Sequence, residues 1–133
     1  MRLAMTLSLP QHPSSVSRAR EVLDDLLRLT DAVEECRRTL AVLITEASAN
    51  AVMHGDLGGR FDLGITIEDD LCALEVGNRG TLNGVALTTE PPDPTQISGR
   101  GLLLIAALSD TAAFVPAPPG EILLRLTLHL TAP

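Results

Sequence analysis

The hydrophobic period of this chain changes along its length, from two to about 3.6 and back to two, and that succession limits the folds open to it. Leu3, Met5, Leu7 and Leu9 alternate with Ala4, Thr6 and Ser8, the pattern of a half-buried strand, and Pro10 and Pro13 end it. Ser14 or Ser15 is placed to cap the helix that follows, where Val16, Ala19, Val22, Leu23, Leu26 and Leu27 recur at helical spacing. Thr30 and Asp31 break that helix. Asp31 with Glu34 has the form of a capping box, which predicts a second helix from Asp31 or Ala32 to about His54. Its apolar stripe is Leu40, Leu43, Ile44, Ala47 and Ala51, and Gly55, Gly58 and Gly59 close it.

The period returns to two at Phe61, Leu63, Ile65 and Ile67. An acidic turn at Glu68, Asp69 and Asp70 leads to a returning strand over Leu71 to Val76, so the pair reads as a hairpin. Residues 77–98 shift in composition toward Pro, Thr, Gly and Asn and form a loop of unusual length for a small domain. Gly99-Arg100-Gly101 opens a short apolar helix over Leu102 to Leu108. Two strands, Ala112 to Val115 and Ile122 to Leu130, then flank the turn PAPPG. Strands joined mostly by hairpins, with helices arriving in blocks, predict an α+β fold. The expected form is a two-layer α/β sandwich, its mixed, mostly antiparallel sheet covered by helices on one face. At 133 residues the length suits one domain, residues 1–133.

Composition excludes several classes. Residues are 45% hydrophobic but only 2% aromatic, so the core is aliphatic and a disordered chain is excluded. No apolar run reaches the roughly 18 residues of a membrane span. The N-terminal apolar run is too short and alternates too regularly for a signal peptide, and reads as a strand. A net charge of −7 argues against a nucleic-acid surface. All ten basic residues are Arg, so P-loop, protein-kinase strand-lysine and Schiff-base chemistry are excluded. Cys36 and Cys72 have no metal-ligand or CxxC spacing and read as core thiols in a reducing, cytoplasmic setting.

Candidate chemistry lies on the second helix. Glu46 and Asn50 are four residues apart and stack on one helical face. An amide oxygen is a hard neutral ligand suited to Mg²⁺, and a carboxylate one turn away can accept the proton of an attacking hydroxyl. The plain alternative is a solvated helical pair. The free backbone N–H groups of the turn at Gly99, Arg100, Gly101 and Leu102 can cradle a phosphate, and Arg100 can add a charge-assisted contact. The plain alternative there is a loop-to-helix junction. Ser48 lies outside any GxSxG elbow, and His12 and His129 are isolated, so neither a triad nor a zinc set is present. The adjacent pairs Asp24-Asp25 and Asp69-Asp70 read as surface.

These pieces resemble a known family. TEASANAVMHG, residues 45–55, is similar to the N-box of the histidine-kinase-like ATPases (the GHKL or Bergerat fold). Val76-Gly77-Asn78-Arg79-Gly80 sits where that family has its first glycine box, and Ser98-Gly99-Arg100-Gly101-Leu102 resembles the second. Within the family the likeness is to bacterial anti-sigma-factor serine/threonine kinases and related actinobacterial regulators. The resemblance implies ATP and Mg²⁺ as cofactors, Asn50 as the magnesium ligand and Glu46 as the catalytic base. His54 would line the pocket and residues 79–99 would form a lid. The nucleotide contacts it implies are Asn50, His54, Asn78, Gly80, Gly99, Arg100, Gly101 and Leu102. As partners it implies a sigma factor and an anti-anti-sigma (STAS-type) protein, with homodimerisation. Three departures fall at the adenine end. Asn78 stands where the family has Asp, Leu82 where it has glycine, and Glu121 follows Gly120 where it tends to have Thr. Two functions stay open on these residues: a kinase that also sequesters sigma, and a non-catalytic partner-binding module of the same fold.

Overall fold

The computed structural model describes residues 2–54, 59–78, 97–117 and 121–131. Within them the order is β1 (Arg2–Pro10), α1 (Ser14–Leu27), α2 (Glu34–His54), β2 (Arg60–Glu68), β3 (Leu71–Asn78), α3 (Ile97–Leu108), β4 (Thr111–Ala117) and β5 (Glu121–His129). The strands form one sheet in the order β1-β2-β3-β5-β4. Among the described residues every pairing in it is antiparallel, where a mixed, mostly antiparallel sheet was expected.

Alternation decides which face the helices cover. Phe61, Leu63, Ile65 and Ile67 of β2 are buried, as are Cys72, Leu74 and Val76 of β3 and Leu124, Leu126 and Leu128 of β5. The residues between them are more open. Across the outer face Gly64 of β2 stands opposite Glu75, which in turn stands opposite Arg125. Against the inner face lie the helical stripes Ala19-Leu23-Leu27 of α1 and Leu40-Leu43-Ile44-Ala47-Ala51 of α2, with Ile105 of α3. Each buried Leu or Ile contributes about 1.5–3 kcal/mol, so an almost purely aliphatic core is sufficient. The chain is a two-layer α/β sandwich, with α2 lying between α1 and α3 over β3 and β5. Among the described residues no helix is long and apolar enough to cross a membrane.

Several boundaries differ from the sequence expectation. Neither Ser14 nor Ser15 caps α1 by its side chain. Ser15 Oγ donates instead to the Pro10 carbonyl at 2.7 Å, and the His12 ring accepts the Ser14 N–H on Nδ1 at 3.1 Å. The Asp31–Glu34 capping box does not open α2, which starts at Glu34. Just ahead of it, the Val33 N–H donates to the Leu130 carbonyl at 2.9 Å, so a tertiary bond fixes the helix entry. Asp24 is more than a surface residue, because it accepts from Arg28 Nε at 3.0 Å and Arg37 Nη2 at 3.2 Å and so ties α1 to α2. His129 is not isolated either: its Nδ1 lies 2.7 Å from Asp110 Oδ2. The β2–β3 turn matches expectation, with Asp69 at φ 55°, a left-handed conformation that Asp tolerates.

Candidate functional site

The middle of α2 carries the site. Its apolar stripe holds it on the sheet, and that fixes which side chains turn away from the core. Glu46 and Asn50, one turn apart, are both half-buried at the edge of the stripe. Asn50 Oδ1 is itself buried, yet it accepts no hydrogen bond from a described residue. Leaving such an oxygen without a partner costs about 1–3 kcal/mol, and most buried amide oxygens are paired. A buried, unengaged carboxamide oxygen is a neutral hard donor, so the residue present fits a Mg²⁺ ion. Among the described residues no group of three or more His, Cys, Asp or Glu could hold a metal. Ser48, between the two, is fully buried and also lacks a partner, but it belongs to the core-facing stripe.

The wall opposite Glu46 comes from α3. Gly101 is buried, and a Cβ added to it would stand 2.8 Å from Glu46 Oε2. Leu102 packs on the core beside it. Gly99, Arg100 and Gly101 were expected as a turn ahead of the helix, but α3 already begins at Ile97. The two glycines do not stop it, because tertiary packing overrides their low helix propensity. With α3 starting at Ile97, the N–H groups of Gly101 and Leu102 fall inside the helix's own hydrogen-bond ladder, so of the cradle expected at Gly99 to Leu102 only the groups of residues 97–100 remain as candidate anion donors. The helix also takes residues 97–99 from the expected lid, the remainder of which, 79–96, lies outside the described residues along with Gly80 and Leu82.

His54 is the last residue of α2 and Asn78 the last of β3. Asn78 stands opposite Phe61 on β2 and Ile122 on β5. Arg60 and Phe61 open β2 shortly after α2 ends, so Asn78 lies at the end of the sheet to which α2 runs. Glu121 opens β5 opposite Ala117. The structure thus brings together Glu46, Asn50 and Gly101. It places His54 and Asn78 at element ends, and their side chains fall outside the described residues, as does that of Arg100. What sequence reasoning missed is the packing of Gly101 on Glu46. The available signal was a glycine inside a strongly apolar helical run, where propensity gives no reason for it.

Two grooves lie elsewhere and touch neither Glu46 nor Asn50. One of about 250 Å³ runs between α1 and α2 over Leu23 and Ala41, and one of about 510 Å³ lies beside Ser8, Arg18 and Arg60. Burial pushes the Cys72 thiol up to about 12 and raises that of Cys36, so neither is a poised nucleophile.

Comparison with known proteins bears on the family and the fold. The family model for the histidine kinase-like ATPase domain matches residues 9–127. No curated protein matches the sequence. Among solved structures, the RsbU and RsbW domains of a Mycobacterium tuberculosis protein are similar at a TM-score of 0.72 and 20% identity. That likeness covers 98% of this chain and 33% of the other, so the chain spans about a third of that protein's solved length.

Proposed function

This chain belongs to the histidine kinase-like ATPase family, and we propose that it is a regulator of the anti-sigma-factor kinase type. In this reading it works in the cytoplasm as a homodimer and a single domain. It binds ATP with Mg²⁺, phosphorylates a serine or threonine of a STAS-type anti-anti-sigma protein, and sequesters a sigma factor. The observation that carries the reading is the unengaged, buried Oδ1 of Asn50 one turn from the half-buried Glu46. The likeness in fold to a structure that contains an RsbW domain supports it.

When bound, Mg²⁺·ATP supplies the phosphoryl group and a cation that offsets charge on the transferring oxygens. Asn50 holds that cation through Oδ1. Glu46 accepts the proton of the partner's hydroxyl, a role worth about 10²–10⁴ in rate. The free N–H groups at the start of α3 orient the phosphate oxygens. An acidic chain of net charge −7 attracts partners with basic helices, such as a sigma factor.

Calorimetric titration of ATP with Mg²⁺, beside the same titration of Asn50→Ala, tests this. Magnesium-dependent binding is expected for the native chain, weakened about tenfold to a hundredfold in the variant. No heat at millimolar ATP would sink the kinase reading. The substitutions at Asn78 and Glu121 favour one other outcome of that experiment, a partner-binding module that holds no nucleotide.

A further inference from the structure

Gly101 sits within α3, buried where that helix packs on α2. Its backbone is helical, so no left-handed conformation calls for glycine there. Glycine is also the poorest residue for a helix after proline. The reason for it is local. An added Cβ would stand 2.8 Å from Glu46 Oε2, too close for a carbon and an oxygen. Glu46 Cδ and Cβ would lie at 3.8 and 3.9 Å, ordinary contact distances. The obstruction is confined to one carboxylate oxygen.

We infer that Gly101 is a positioning residue for Glu46: the space left by its missing side chain is the seat of the Glu46 carboxylate, and it sets where that carboxylate points. The inference rests on the proposed role of Glu46 as proton acceptor and adds to it the group that aims it. Glutamate is long and flexible, and an acceptor must come within hydrogen-bond reach of the hydroxyl it deprotonates. A methyl group at position 101 turns the carboxylate aside by rotation about its terminal bonds. That rotation costs the fold little, because only the tip of a flexible side chain moves. It costs alignment a great deal, since a misplacement of about 1 Å can slow a reaction on the order of a hundredfold. The acceptor and its seat lie on different helices, so any shift of α3 along α2 re-aims Glu46.

Gly101→Ala tests this in the full chain carrying ¹³C-labelled glutamate, with Glu46→Gln assigning the Glu46 carboxyl signal. The expected result is a displaced Glu46 signal, the other seven glutamates unmoved, and a Tm equal to or above that of the native chain. ADP formation falls at least about tenfold in kcat. An unmoved Glu46 signal would overturn the assignment. So would a lowered Tm with general shifts among the glutamates, which marks a structural role. If the native chain neither binds nor turns over ATP, the proposed function fails, and the Glu46 signal still decides whether Gly101 seats the carboxylate.

Discussion

The two halves of α2 treat their polar groups in opposite ways. Near its N-terminus they are matched. Asp24 accepts from both Arg28 and Arg37, and Thr30 donates to Leu27 at 2.6 Å while accepting the Ala32 N–H at 3.2 Å. The Val33 N–H meets the Leu130 carbonyl. Arg37 keeps a buried Nε without a partner there, but its Nη2 is engaged. Three turns on, Ser48 Oγ and Asn50 Oδ1 are buried and unmatched. The first half holds helices together. The second leaves acceptor capacity open at a cost to the fold, and at Asn50, beside rather than within the core-facing stripe, that is the arrangement expected where a ligand completes the site.

Four substitutions test that contrast. Glu46→Gln keeps the shape and removes the carboxylate proposed as proton acceptor, so phosphoryl transfer should fall by about 10²–10⁴ while ATP binding persists. Measured transfer within a factor of ten of the native rate would take Glu46 out of the chemistry. Asn78→Asp places a charged acceptor where the family resemblance puts the adenine and should tighten ATP about tenfold, read by calorimetry; unchanged or weaker affinity counts against that contact. Asn50→Ala removes an unsatisfied buried oxygen and inserts a better helix former, so it should raise unfolding free energy by about 1 kcal/mol even as ATP binding weakens. A destabilised Asn50→Ala would mean that Oδ1 has a structural partner. Asp24→Asn, at the matched end, should cost at most about 1 kcal/mol and leave ATP affinity alone.

The last of these has a definite pH dependence. The hydrogen bond from Arg37, with help from Arg28, holds the Asp24 carboxyl below the ordinary carboxylate range. A carboxyl lowered on folding stabilises the native state above its unfolded value, and that contribution is lost as pH falls through the lowered one. Denaturant melts of the native chain and Asp24→Asn should therefore differ at neutral pH and converge in acid. The Asp110 carboxyl is held low in the same direction, chiefly by the His129 backbone N–H. A gap that persists below the carboxylate range would assign the Asp24 effect to packing.

Much of the fold was legible because periodicity reports burial directly. The alternation at Phe61, Leu63, Ile65 and Ile67 and the stripe from Leu40 to Ala51 both fall on the core as read. What failed were features decided by distant atoms. The Asp31–Glu34 pattern lost to a bond from the Val33 N–H to the carbonyl of Leu130, a residue almost a hundred positions away. The seat of β5 between β3 and β4 follows from long-range pairing that no local signal encodes. Within the site, Glu46 and Asn50 could be found from spacing on one helix. Gly101 could be found but not understood, since its contact crosses two helices separated by some fifty residues.

The bond between Val33 and Leu130 also bears on the order of assembly. The helix that presents Glu46 and Asn50 is made early in synthesis, but its entry is pinned by the carbonyl that follows β5, and β5 itself must slot between strands already made. Emerging from the ribosome, α1, α2 and the β2–β3 hairpin have neither that pin nor the inner strand that α2 covers. A chain arrested before residue 130 therefore carries every site residue named above yet presents them on an unanchored helix. The setting of Glu46 and Asn50 is complete only once the final strand is in place.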